Sequence, residues 1–91
     1  MQRIRAQIYG KVQGVGYRAW TVRQGCALGL AGEVRNLNDG SVEVLMEGDE
    51  VSLQQMLNFL HKGPGHAEVR SIQVSELDYV GNLVDFVVLP S

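Results

Sequence analysis

Between Arg3 and Ile8 the chain alternates. Ile4, Ala6 and Ile8 interleave with Arg3, Arg5 and Gln7, the period of a strand with one buried face. From Arg18 the period lengthens: Ala19, Val22, Cys26 and Leu30 set one helical stripe, with Arg23 and Gln24 off it. Gly29 stands near that helix's C-terminus and Gly32 opens the next segment, a short extended run from Glu33 to Leu37 anchored by Val34. Asn38-Asp39-Gly40 then reads as a tight hairpin turn, because these residues tolerate positive φ. It ties Glu33–Leu37 antiparallel to Ser41–Glu47, where Val42, Val44 and Met46 share a face. Gly48-Asp49 breaks that strand. Leu53, Met56, Leu57 and Leu60 predict a second amphipathic helix, stopped by Gly63-Pro64-Gly65. Val69, Ile72 and Val74 predict a fourth strand, and the three-residue step from Val69 to Ile72 asks for a bulge or a late start. Asp78 to Asn82 reads as a loop, and Phe86 to Leu89 as a short apolar final strand.

The resulting order, β-α-β-β-α-β plus a last β, predicts an α+β, ferredoxin-like sandwich: an antiparallel sheet, two helices on one face and a short extra C-terminal strand. This fold hosts enzymes, RNA binders, metal carriers and regulatory modules, so the topology alone sets no function. At 91 residues a single domain spanning 1–91 is expected, burying roughly 60–65% of its unfolded surface. No apolar run approaches the roughly 18 residues of a membrane span. The alternating N-terminus lacks the apolar core of a signal peptide, which points to the cytoplasm. One cysteine, Cys26, excludes an internal disulfide and suits a reducing compartment; on the helical stripe it reads as a small buried residue. His61 and His66 have no cysteine pair near them and do not make a zinc pattern.

Charge changes the picture. The formal net charge of −2 argues against a nucleic-acid partner bound by phosphate neutralisation. The strand patterns also lack the paired exposed aromatics of an RNA-binding sheet. The charge is, however, unevenly spread. Arg3, Arg5, Lys11, Arg18 and Arg23 all precede the first acid, Glu33, and the remainder of the chain is strongly acidic. The loop between the first strand and first helix, YGKVQGVGYRAW from Tyr9 to Trp20, therefore lies in the one positive stretch, where a small anion would be drawn.

What could such a loop hold? A Walker loop needs Gly-Lys-Ser/Thr, which is absent. Gly14 to Ala19 satisfies a permissive G-x-G-x-x-A, but the Asp39-Gly40 turn makes the next strands antiparallel, against a dinucleotide fold. The physical reading survives that rejection. Glycines let the backbone approach a ligand, successive N–H groups form an anion nest, and the following helix adds its free N–H groups and dipole. Arg18, in the first helical turn, conflicts with that dipole unless an anion sits there. On spacing alone two readings stand together, a guanidinium clamp on phosphate and a solvated helix residue beside an ordinary turn.

A resemblance decides between them. Gly10-Lys11-Val12-Gln13-Gly14-Val15-Gly16-Tyr17-Arg18 resembles the signature of the acylphosphatase family, and Leu28 to Val42, with its Gly-Leu-Ala-Gly and Val-Arg-Asn runs and Asp39-Gly40-Ser41-Val42, resembles the family's second block. Glu47-Gly48 and Gly63-Pro64 fall where the family has similar residues, so the likeness covers essentially the whole chain. Glu33 departs from it, standing where bacterial relatives usually carry tryptophan.

The resemblance implies hydrolysis of small acyl phosphates to a carboxylate and inorganic phosphate, without cofactor, metal or covalent phosphoenzyme. It implies that Arg18 holds the phosphoryl group together with the loop Gln13, Gly14, Val15, Gly16 and Tyr17, and that Asn36 orients the attacking water. Gln13 and Tyr17 read mainly as loop scaffold, and Trp20 as helix packing. Asn36 also has a plainer reading, a strand-end residue bonded to the adjacent turn. No partner beyond the small substrate and phosphate is expected, neither nucleic acid nor membrane, and a monomer is expected. The alternative is a non-catalytic module of the same fold that binds an anion or carbamoyl phosphate.

Overall fold

The computed structural model describes residues 1–90. The element order is β1 (Gln2–Lys11), α1 (Tyr17–Ala27), β2 (Ala31–Asn36), β3 (Val42–Gly48), α2 (Glu50–Lys62), β4 (Glu68–Leu77) and β5 (Phe86–Val88). The strands make one sheet in the order β4-β1-β3-β2-β5. β1 runs antiparallel to both β3 and β4, and β2 antiparallel to β3, as expected of the ferredoxin-like fold. The added strand differs in one respect: β5 lies parallel to β2, with Val34 opposite Val88.

The alternation in β1 and β3 becomes the core. Ile4, Ala6 and Ile8 meet Val42, Val44 and Met46 on one face, joined by Val34, and Leu53, Met56 and Leu60 of α2 close over them. Asp49 caps α2, its Oδ1 accepting from the Ser52 N–H at 2.8 Å, and Gly63 ends the helix. The bulge expected in β4 is present: Tyr9 faces Ser71 while Gly10 faces Val69, so Arg70 is the extra residue. The β2–β3 turn is a wider loop than a two-residue hairpin. Leu37 and Ser41 still bond, Leu37 N–H to Ser41 O at 2.9 Å, and only Gly40 takes positive φ.

The first helix departs from its expected stripe. Its buried positions are Tyr17, Thr21 and Gly25, while Ala19 and Cys26 are exposed. Thr21 is admitted because its hydroxyl donates to the Tyr17 carbonyl at 2.8 Å. Gly25 is admitted because Phe86 of β5 presses against it; a Cβ there would run into the ring. On the other side the same ring would meet a Cβ on Gly32 at 2.6 Å. Phe86 is thus the bolt that fixes β5 beside β2 and under α1.

Ion pairs organise the opposite face of the sheet. Arg5 Nε and Arg35 Nε donate to the two oxygens of Glu43, at 2.6 and 3.0 Å. Arg3 Nη1 donates to Glu47 Oε2 at 2.9 Å, and the same oxygen accepts from the N–H groups of Val80 and Gly81 at 3.0 and 3.2 Å. Two of the five N-terminal cations are therefore neutralised here, and the positive stretch of sequence does not fold into a single positive patch. Burial pushes the Glu47 carboxyl up, but the Val80 and Gly81 N–H groups and Arg3 outweigh it and hold the group below the usual range.

A carboxyl depressed by folding contributes stability above its unfolded pKa and loses it as pH falls through the lower folded value. Glu43 shares that direction, its burial outweighed by Arg5 and Arg35. The melting temperature is thus expected to fall as pH is lowered from about 5 toward 3. Glu47→Gln should melt lower near neutrality and show a shallower acid slope in a pH series of thermal melts. An unchanged slope would mean that Glu47 does not hold the loop leading to β5.

Candidate active site

The loop after β1 turns twice on glycine. Gly14 and Gly16 have φ of 74° and 77°, and a Cβ on either would meet open space, so the backbone there is bare on the side of the pocket. Gly16 is also the N-cap of α1. It offers no side-chain cap, and the first turn holds no acidic residue. The first N–H groups of α1 thus lack both an intrahelical acceptor and a capping oxygen. Arg18 sits among them, half-buried and in no ion pair among the described residues. A cation with no acid beside it at a positive helix end is electrostatically unfavourable by itself and becomes favourable once an anion lies between.

Asn36 ends β2. It shares the helix face of the sheet with Val34, as alternation predicts, and this brings it to the mouth of the same loop. Its Oδ1 is buried and has no hydrogen-bond partner among the described residues. A buried acceptor left so costs about 1–3 kcal/mol, a cost that a hydrogen-bond donor arriving in the pocket would remove. The neighbouring turn is tied by other groups. Gln13 Nε2 donates to the carbonyls of Leu37 and Ser41, both at 2.9 Å, and Asp39 Oδ1 accepts from the Ser41 N–H at 2.9 Å. The plainer reading of Asn36, as a turn-bonding residue, therefore finds no support: the turn is held without it.

These groups surround one pocket of about 260 Å3, where β1 and β2 end and α1 begins. Gly14, Gly16, Arg18 and Asn36 line it, together with Val12, Tyr17, Ala19 and Val88. Arg18 and Asn36, 18 residues apart in sequence, are brought together by the β1-α1-β2 crossover. Two other residues expected at the site stand behind it. Gln13 braces the loop against the β2–β3 turn, and Val15 packs on the core. Tyr17 turns its side chain inward: it is buried, and its hydroxyl donates to the Leu60 carbonyl at 2.6 Å, tying α1 to α2. Burial drives that phenol well above its ordinary pKa, so it stays a neutral donor. Tyr17 lines the pocket, but its hydroxyl is committed to Leu60 and not to the hollow. Trp20 packs as expected, 5.6 Å from the Tyr17 ring and edge-on to Phe59 at 6.4 Å. Ala19 and Val88 were not expected at the pocket. Val88 could not have been, since its place follows from the parallel pairing of β5 with β2.

The fold and this pocket define a ferredoxin-like α+β domain with a glycine-walled, arginine-bearing hollow where the sheet meets its first helix. The chain belongs to the acylphosphatase family, whose profile matches residues 4–88. It is 43% identical over 89 residues to an acylphosphatase of Methylococcus capsulatus, covering 98% of this chain and 97% of that one. Among solved structures it resembles the acylphosphatase of Bacillus subtilis, with a TM-score of 0.96 and 33% identity over 99% of this chain and 100% of the other. The acylphosphatase of Coxiella burnetii matches with a TM-score of 0.91 and 33% identity, over 97% and 92% of the two chains. Membership makes the protein a hydrolase of acyl phosphates, with inorganic phosphate as a product.

Proposed function

We propose that the phosphoryl group of a small acyl phosphate is held by Arg18 and the backbone N–H groups of the Gln13–Arg18 loop, and that Asn36 orients the water that attacks it. The observation that carries this reading is the convergence of three incomplete groups on one pocket: an uncapped helix N-terminus, a cation with no acid beside it, and a buried amide oxygen without a partner.

The chemistry suits these residues. Water attacks phosphorus, the bond from phosphorus to the acyl oxygen breaks, and the carboxylate leaves with the electron pair. A carboxylate is a good leaving group, so little general-acid help is required. Phosphoryl transfer then asks chiefly for alignment and charge stabilisation, which a guanidinium fork and backbone N–H groups supply. Asn36 has no useful pKa; it positions water, and the water's proton passes to a phosphate oxygen. Among the described residues, no carboxylate, imidazole or thiol lines the pocket, and this donor set favours a metal-independent reaction. A monomer acting in the cytoplasm completes the proposal, the single cysteine fitting a reducing compartment.

Phosphate release from acetyl phosphate is expected to proceed at the same rate with and without a strong chelator. Loss of activity in the chelator, restored by added magnesium, would overturn the metal-free mechanism.

A further inference from the structure

Part of the pocket's lining is apolar, and phosphate chemistry does not use it. Besides Gly14, Gly16, Arg18 and Asn36, the pocket is lined by the exposed apolar residues Val88 and Ala19 and by the buried Val12 and Tyr17. Val88 is 45% exposed although it points to the helix face of the sheet, where its pairing partner Val34 is fully buried. Its place is set firmly from both sides. Phe86, two residues earlier, is wedged between Gly25 and Gly32, and the Leu89 N–H donates to the Val34 carbonyl at 2.8 Å. An apolar side chain on an edge strand is thus fixed in the lining of the phosphate pocket.

We infer that Val88, with Ala19, forms the subsite for the acyl group and makes the enzyme favour acyl phosphates with an apolar tail over acetyl phosphate. The inference rests on the phosphoryl group lying in the Gly14–Arg18 cradle. A substrate so anchored must send its acyl carbon out of the cradle, and the rim it then meets is apolar on the β5 side. The pocket, about 260 Å3, is smaller than the roughly 300–1,000 Å3 typical of drug-sized sites. That suits a phosphoryl group followed by a short or planar tail. One open wall covers only part of the tail, so the gain is expected to be about twofold for each added methylene, below the roughly fourfold of full burial.

The test compares kcat/KM for benzoyl and acetyl phosphate in the unaltered enzyme, in Val88→Ser and in Val88→Leu. Taking the benzoyl-to-acetyl ratio of each variant against that of the unaltered enzyme cancels the intrinsic reactivity of the two substrates. The ratio is expected to fall about fivefold in Val88→Ser and to rise in Val88→Leu, which extends the wall. A ratio unmoved by both substitutions overturns the inference, as does one that moves in the same direction in both. Inhibition by inorganic phosphate, which has no tail, reads the cradle separately. If Arg18→Ala leaves that inhibition intact, the cradle reading itself fails. If Arg18→Ala abolishes it while the Val88 variants keep the original ratio, only the acyl subsite fails.

Discussion

Arg18→Ala is expected to lower kcat/KM by at least ~10²-fold, the usual loss on removing one preorganised charge-stabilising donor. The phosphoryl charge is present in the bound substrate as well as in the transition state, so binding and turnover should both suffer. Inhibition by inorganic phosphate should weaken in parallel. Arg18→Lys should recover only part of the loss, because an ammonium is a point charge and cannot make the forked contact of a guanidinium. Folding should hardly change, since Arg18 makes no ion pair among the described residues and lies at a helix end that disfavours a cation. Steady-state kinetics with thermal melts on the same preparations check all of this. A lysine variant of near-normal activity would mean that charge alone suffices.

Asn36→Ala should separate the second role from the first. A residue that orients water touches the nucleophile and scarcely the bound phosphate. Turnover should therefore fall by about 10²-fold, as for a misplaced reacting group, while the Michaelis constant and phosphate inhibition stay nearly unchanged. Asn36→Asp should be no better than alanine, because a carboxylate beside the phosphoryl group repels it. Stability gives an independent reading. The Asn36 oxygen is buried without a partner among the described residues, so its removal should leave the melting temperature unchanged or slightly raised. A turn-bonding residue would instead lose about 1 kcal/mol for one hydrogen bond and keep its turnover. A raised Michaelis constant with intact turnover would contradict the water-positioning role.

The features legible in the sequence are those carried by local period or by an uninterrupted motif. The alternation of Ile4, Ala6 and Ile8 and of Val42, Val44 and Met46 became the sheet's inner face, because strand period directly encodes which face is buried. The step between Val69 and Ile72 announced the bulge at Arg70. The loop and the Val-Arg-Asn run pointed to Arg18 and Asn36, and the pocket unites them. What escaped depended on contacts between distant elements. The buried face of α1 carries Thr21 and Gly25, neither of which registers as apolar; Gly25 is inward because Phe86, sixty-odd residues away in a rough count, needs its space. The same distant strand left Cys26 exposed and carried Val88 to the pocket rim. The neutralisation of Arg3 and Arg5 by Glu47 and Glu43 was equally invisible, since β1 and β3 become neighbours only in the sheet.

The most direct test of the central claim is the inhibition constant of inorganic phosphate, measured against acetyl phosphate hydrolysis in the unaltered enzyme, Arg18→Ala and Asn36→Ala. The phosphoryl cradle with a separate water-positioning amide predicts a constant raised by about 10²-fold in Arg18→Ala, on the scale of a lost charge-stabilising contact, and nearly unchanged in Asn36→Ala despite its lost turnover. Equal constants in the unaltered enzyme and Arg18→Ala would contradict it.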